Sequence, residues 1–233
     1  MVTSLAFAAR SALLSLSDVN RLTSLRRSMI LYSQGQVADS LYLIEEGLIK
    51  LTRVNDAGSR IILSIHGPDH LIGEEVFLEE NPASYYAEAE VLTSCSLFRI
   101  PREALRHALE GNPALVSPVL GYIIEQKQDL ARKVELLCLH DVEYRILHYL
   151  AELSKLVKPA PDGESYQLPI TQLELADLVG ATRETTSTTL NQLERRGLVK
   201  LSRRLLTIPS PAVLRDATVD KKLAVANGTA AMS

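Results

Sequence analysis

The sequence predicts an α+β chain in three parts: an N-terminal antiparallel β-roll, a long dimerisation helix and a C-terminal winged helix-turn-helix. Three observations predict it. Residues 28–100 are short apolar runs punctuated by Gly35, Gly47, Gly58, Gly67 and Gly73, with too little chain between them for crossover helices. Residues 116–137 carry apolar side chains at heptad spacing. Residues 171–199 (TQLELADLVGATRETTSTTLNQLERRGLV) hold start and stop signals for two short helices around a glycine turn.

At the N-terminal end, residues 17–26 are expected to form one short helix, with Ser15 or Ser17 as its cap. Strands are expected over residues 30–32, 41–44, 48–54, 60–65, 85–91 and 96–100. Glu45, Glu46 and Gly47 make one hairpin turn between them, and Asn55, Asp56, Ala57 and Gly58 another. The long helix begins after Asn112 and Pro113, where proline fits a first helical turn. Along it Val116, Ile123, Leu130 and Leu137 recur every seven residues, and Leu120, Lys127 and Val134 lie four residues after the first three. Alternating steps of four and three make a two-row seam for a second helix, interrupted at Lys127. The plainer alternative is a helix lying on its own domain.

Residues 142–155 predict a further helix with Ile146, Leu147, Leu150 and Leu153 turned inward, and residues 158–163 a loop. Thr171 and Glu174 then stand at capping-box spacing, so that each satisfies an orphan N–H of the other. Gly180 supplies the positive φ of a tight turn, Thr182 caps the second helix, and Gly197 ends it. Thr186, Leu190 and Leu193 share its inner face; Arg183, Glu184, Ser187, Thr188 and Asn191 share its outer one. Residues 198–201 and 205–208 form a hairpin with Arg203 and Arg204 at the tip. The expected organisation is a sensor roll over 1–112, a dimerisation helix over 113–139, a winged helix-turn-helix over 140–215 and a mobile tail over 216–233.

An outer face of short hydrogen-bonding side chains led by an arginine suits the major groove, where base edges offer donors and acceptors. The bland alternative is a solvated helical hairpin, but that would more naturally carry Glu, Lys and Ala than a run of Thr and Ser. Charge agrees with the groove. Between Arg183 and Arg204 six basic residues face two acidic ones, a local balance of +4 in a chain whose total is −3. Positive charge is thus concentrated at one end.

The 233 residues, 46% hydrophobic, suffice for two modest domains. No stretch approaches 18 uninterrupted apolar residues, and the first 17 lack the basic start and cleavage pattern of a signal peptide. Cys95 and Cys138 are isolated and match no metal-ligand spacing. A reduced, cytoplasmic protein with no membrane partner is the expectation.

The segment VGATRETTSTTLNQLERRGLV, with SLYLIEEGLIKL, LIGEEVFLEE and HDVEYRILHYL in that order around it, resembles the CRP/FNR (cyclic-AMP receptor protein and fumarate–nitrate regulator) family of bacterial transcription regulators. The resemblance covers nearly everything from residue 16 to residue 208. It implies a cyclic-nucleotide-binding-like β-roll, a dimerising central helix and a winged helix that binds promoter DNA. It also implies that Arg183 reads a guanine and Glu184 accepts from a cytosine amine in a TGTGA-like palindrome, with Ser187 and Thr188 on the next turn and Asn191 beyond. Thr188 departs from the arginine that many relatives carry there. Thr171, Thr182, Lys200, Arg203 and Arg204 complete the expected DNA-binding set, and RNA polymerase is the further partner the resemblance implies.

The sensor end departs further. By resemblance, an effector pocket would draw on Gly73, Glu74, Glu75, Ala83, Ser84, Leu130 and Ala131. Cyclic-AMP binders carry an arginine where Ala83 stands, and hydroxyl residues where Leu130 and Ala131 stand. Burying a phosphate beside Ala83 with no cation opposite would cost several kcal/mol, which argues against cyclic AMP bound in the usual way. An iron–sulfur cluster needs grouped cysteines, and none precedes Cys95. Haem needs an axial ligand, and His66, His70, His107, His140 and His148 read as ordinary surface or hinge histidines. The cofactor is therefore unknown, and the effector unidentified or absent.

The expected function is a homodimeric, sequence-specific, DNA-binding transcription regulator, not an enzyme. A cupin-like metalloenzyme would rest on Glu74, Glu75 and His70, which lack a second histidine at metal-ligand spacing. A ligand sensor that has lost DNA binding is opposed by Arg183, Glu184 and the basic wing.

Overall fold

The computed structural model describes residues 7–16, 18–78, 82–214 and 216–217. They form two compact units, divided between Ala131 and Arg132. No helix among them is long and apolar enough to cross a membrane. The expected mobile tail lies outside the described residues, apart from Asp216 and Ala217.

The first unit opens with helix α1 (Phe7–Leu14) and strand β1 (Asn20–Leu25), followed by β2 (Ile30–Tyr32), β3 (Ser40–Glu46), β4 (Ile49–Val54), β5 (Arg60–His66), β6 (Leu71–Ile72), β7 (Glu88–Val91) and β8 (Cys95–Pro101). They make two four-stranded antiparallel sheets, ordered β1-β8-β3-β6 and β2-β7-β4-β5. The core between them includes Leu41, Leu43, Ile49, Ile72, Val91, Leu97 and Ile100, all with almost no exposure. Helix α2 (Arg102–Gly111) and a 3-10 turn (Pro113–Leu115) lead to α3 (Val116–Leu139). Tyr122 of α3 ties this helix to the roll, donating to the Leu71 carbonyl at 3.0 Å and accepting from its N–H at 2.9 Å.

Two expectations for the roll are corrected. Residues 17–26 are not a helix: residues 20–25 are an edge strand whose Leu22 pairs with Leu97 and Leu25 with Cys95, while the helix lies earlier, at Phe7–Leu14. Pairing to β8 outweighs the local preference of the NRLTSL segment. Ser15 closes that earlier helix by donating to the Ala12 carbonyl rather than capping a later one; Ser17 lies outside the described residues. The turn at Glu45, Glu46 and Gly47 is not a hairpin either, because β3 and β4 belong to different sheets. It carries the chain from one sheet to the other. Gly47 has φ +87°, and a Cβ there would stand 2.3 Å from the Ser94 carbonyl oxygen, so only glycine fits the crossing. The Asn55–Gly58 turn does join paired strands, β4 and β5. The expected strand over 85–91 begins only at Glu88. Ala83 and Tyr85 instead bond through their backbones to residues 35–38.

The second unit holds α4 (Val142–Ser154), β9 (Tyr166–Leu168), α5 (Gln172–Val179), α6 (Arg183–Arg195), β10 (Lys200–Ser202) and β11 (Leu205–Ile208). The three strands form one antiparallel sheet ordered β10-β11-β9, so the wing hairpin gains a third strand that its own sequence does not announce. Asp141 caps α4 by accepting from the Tyr144 N–H at 2.9 Å. Ile146, Leu147 and Leu150 are fully buried beside Leu175, Val179, Leu190 and Leu193 in this unit's apolar residues. Arg196 pairs with Glu143 at 2.7 Å, joining the end of α6 to the start of α4.

Candidate nucleic-acid interface

The reading head is set by caps at both helices. Thr171 Oγ1 accepts from the Glu174 N–H at 3.1 Å, and Glu174 accepts from the Thr171 N–H at 2.9 Å, completing a capping box. Gly180 follows in the left-handed region (φ 65°, ψ 50°), donating back to the Ala176 carbonyl. Thr182 Oγ1 accepts from the Thr185 N–H at 3.1 Å and starts α6. Both threonine hydroxyls are thus occupied in capping; their first role is to aim the helices.

Helix α6 divides sharply. Thr186, Leu190 and Leu193 are fully buried, whereas Arg183, Glu184, Thr188 and Asn191 are exposed and Ser187 is half-buried. Thr186 goes inward with a hydroxyl that has no hydrogen-bond partner. Thr189, also inward, returns its hydroxyl to the Thr185 carbonyl at 2.8 Å. The exposed side chains lie on consecutive turns at steps of three and four, which is one continuous face.

The basic wing is a two-residue turn. Ser202 pairs with Leu205, leaving Arg203 and Arg204 at the tip, with Arg204 at φ 64°. A left-handed arginine is strained by the order of 1 kcal/mol. Lys200, Arg203 and Arg204 are exposed. Two other charges counted near them serve the fold: Arg196 pairs with Glu143, and Glu194 accepts from the Leu201 N–H at 2.7 Å.

On α3 most of the heptad residues are not the ones that hold the helix to its own unit. Val119 and Tyr122 are buried on the roll side, while Val116, Leu120, Leu130 and Val134 are 46%, 53%, 55% and 54% exposed, in line with exposed Lys127. Ile123 is half-buried. Leu137 is half-buried too, and packs beside Gly180.

The expected effector residues differ in exposure. Gly73 and Ala83 are buried, Glu74 and Glu75 half-buried, and Ser84, Leu130 and Ala131 exposed. Gly73 precedes a 3-10 turn (Glu74–Phe77), and Glu75 accepts from the Tyr86 N–H at 2.9 Å. Burial raises the Glu74 carboxyl above the usual range, against the lowering effect of nearby backbone N–H groups. Beside this turn three tyrosines stack. Tyr32 and Tyr85 are 3.8 Å apart and nearly parallel, and Tyr42 follows at 5.7 Å. The Tyr85 hydroxyl donates to the Ser40 carbonyl at 2.7 Å and accepts from its N–H at 3.1 Å. A Cβ on Gly73 would stand 3.2 Å from the Tyr85 ring, so the aromatic stack lies directly against the turn. Sequence reasoning missed this stack; its only signal was a tyrosine immediately after Ala83 and Ser84.

The histidines also differ from expectation. His66 and His70 are buried, not on the surface, with rings edge-to-face at 5.6 Å. His66 Nε2 shares a hydrogen bond with the Ser64 hydroxyl, and His70 Nδ1 accepts from the Gly67 N–H, both at 2.8 Å. Burial drives them down to about 3 and about 4 respectively, so both are neutral structural groups. Cys95 is likewise buried, its thiol pushed up to about 11, while Cys138 is exposed on α3. No group of three or more His, Cys, Asp or Glu that could hold a metal ion occurs among the described residues.

Comparison with known proteins agrees with this layout. Residues 22–112 match a cyclic nucleotide-binding domain model, and residues 144–217 match a Crp-like helix-turn-helix domain model. The chain is 25% identical to the global nitrogen regulator of Synechococcus elongatus over 189 residues, covering 81% of this chain and 85% of that protein. It is 27% identical to the cAMP-activated global transcriptional regulator CRP of Salmonella typhimurium, covering 76% and 84%. The solved structure of the c-di-GMP responsive global regulator CLP of Xanthomonas campestris superposes with a TM-score of 0.71 at 24% identity, covering 86% and 98%.

Proposed function

The chain belongs to the CRP/FNR family of DNA-binding transcription regulators, and from that premise we propose that it acts as a cytoplasmic homodimer reading a TGTGA-like palindrome without cyclic AMP bound in the usual way. The observation that carries the DNA reading is the division of α6: Thr186, Leu190 and Leu193 wholly inside, Arg183, Glu184, Thr188 and Asn191 wholly available outside. Arg183 pairs with guanine O6 and N7, and Glu184 accepts from a cytosine amine. Ser187, Thr188 and Asn191 face the next base pairs. Lys200, Arg203 and Arg204 meet phosphate, with Thr171 and Thr182 fixing the approach through their caps.

The exposed row Val116, Leu120, Leu130 and Val134 supports pairing with a second copy, since a two-fold site needs two reading heads. Lys127 in that row sets two like charges opposite one another. It tempers the pairing and gives a signal an equilibrium to bias. The roll is the sensor, and promoter-bound dimers engage RNA polymerase.

Cyclic AMP fits the roll poorly. Ala83, which stands where the resemblance puts the phosphate-binding arginine of cyclic-AMP binders, is fully buried and uncharged, and the Tyr32–Tyr85 stack lies against the Gly73 turn. Glu74, whose carboxyl burial raises above the usual range, supplies no cation to meet a phosphate. Calorimetric titration with cyclic AMP should show no heat of binding at millimolar nucleotide; saturable binding would refute this part. The DNA part is tested by fluorescence anisotropy with a labelled TGTGA-like palindrome and a shuffled duplex. Two chains should bind one palindrome with a preference of about a thousandfold or more. Equal affinity for both duplexes would overturn the reading.

A further inference from the structure

We infer that the last two turns of α3 are part of the DNA-reading machinery, with Lys133 and Leu137 acting as positioning residues that hold the helix-turn-helix turn in place. This inference rests on the palindrome reading above.

Lys133 is 6% exposed, and its Nζ donates to the Leu178 carbonyl at 3.0 Å, in the final turn of α5. Carbonyls in that turn have no following helical N–H to accept from, and the negative end of the helix dipole favours a cation there. The same ammonium lies 5.4 Å from the centre of the Tyr149 ring of α4, so one side chain engages three helices. One turn further along α3, Leu137 packs so close to Gly180 that a Cβ there would clash with it. Its Cδ2 is 2.8 Å from that position. Residues four apart on a helix lie one above the other, and these two grip the turn on either side of Val179. The compact unit that contains the reading head begins at Arg132, so both residues belong to it.

Were packing the only demand, an apolar side chain would meet it with less desolvation. Burial pulls the Lys133 amine down to about 8, a sign of how unfavourable the charge is there. Holding a cation in that place makes sense where the position of the α5 end must be specified. Any shift of the α3 end then carries the turn with it, and α6 begins three residues beyond Gly180.

The test uses full-length protein and compares wild type, Lys133→Met and Leu137→Ala on three probes: the palindrome, the same half-sites with the spacer altered by one base pair, and a shuffled duplex. Each variant is first checked for wild-type dimer mass and circular dichroism. The expected result is a loss of about tenfold or more on the palindrome, little change on the shuffled duplex, and a weakened preference for the native spacer. A role confined to stability would lower all three affinities together and leave the spacer preference intact, which would overturn the inference. Should Lys133→Met fail to fold, Lys133→Gln and hydrogen exchange at the Val179, Gly180 and Ala181 amides read the same contact; unchanged protection there overturns it. If wild type itself does not prefer the palindrome, the palindrome reading fails first and takes this inference with it.

Discussion

The winged helix-turn-helix and the β-roll use polar side chains in opposite ways. On α6, Arg183, Glu184, Thr188 and Asn191 project outward and the inner face is closed by Leu190 and Leu193. In the roll, Tyr32, Tyr42, Tyr85, His66 and His70 all turn inward and are buried to within a few per cent. Of these, Tyr42, Tyr85, His66 and His70 hold hydrogen bonds within the chain. A surface kept polar and open is built to exchange partners. An interior stacked with its own aromatic rings is built to hold a shape. The difference separates the architecture of the fold from what a given chain does at each end of it.

Substitutions should strike the two ends differently. The largest effect is expected for Tyr85→Ala, which removes a stacked ring and both bonds to Ser40. It should destabilise the roll by about 3–5 kcal/mol in chemical denaturation, while an equivalent change on the outer face of α6 leaves stability within about 0.5 kcal/mol. Next in size is a pH effect at Lys133. Its amine lies at about 8 when folded, against an ordinary 10.5. Between those values the unfolded chain binds more protons, so stability rises with pH across that window. Wild type should gain on the order of 2–3 kcal/mol relative to Lys133→Met from pH 8 to pH 10.5. Tyr149, facing the same ammonium, is pushed up to about 12 and stays protonated throughout.

Smaller effects sharpen the contrast within the reading head. Thr186→Val replaces a buried hydroxyl that has no partner, so the protein should gain about 1 kcal/mol in thermal or chemical unfolding with DNA affinity unchanged. Arg204→Gly relieves the left-handed arginine at the wing tip, a gain of up to about 1 kcal/mol. It should also weaken binding to all duplexes alike and reduce the salt slope by about one unit.

How much the sequence disclosed follows from how local each signal is. The caps at Thr171 and Thr182, the turn at Gly180 and the inner and outer faces of α6 depend on residues within four positions of one another, and the structure has them as expected. The strand at residues 20–25 owes its form to β8, some 75 residues later, and nothing in NRLTSL says so. Gly47 was visible as a turn residue, but its role in crossing between sheets depends on the Ser94 carbonyl. The tyrosine stack joins positions 32, 42 and 85, which no periodicity connects. Lys133 was hidden for another reason: a lysine off the heptad rows reads as solvated until its carbonyl partner, 45 residues away, is seen.

The most direct measurement of the central claim is a set of affinities for wild type and Arg183→Ala on palindromes changed one base pair at a time. Wild type should lose about 1–3 kcal/mol when the guanine facing Arg183 is replaced. The variant should be indifferent at that base pair and keep its preferences elsewhere. A uniform loss across every duplex, with a shallower dependence on salt, would place Arg183 on the phosphate backbone and contradict the account.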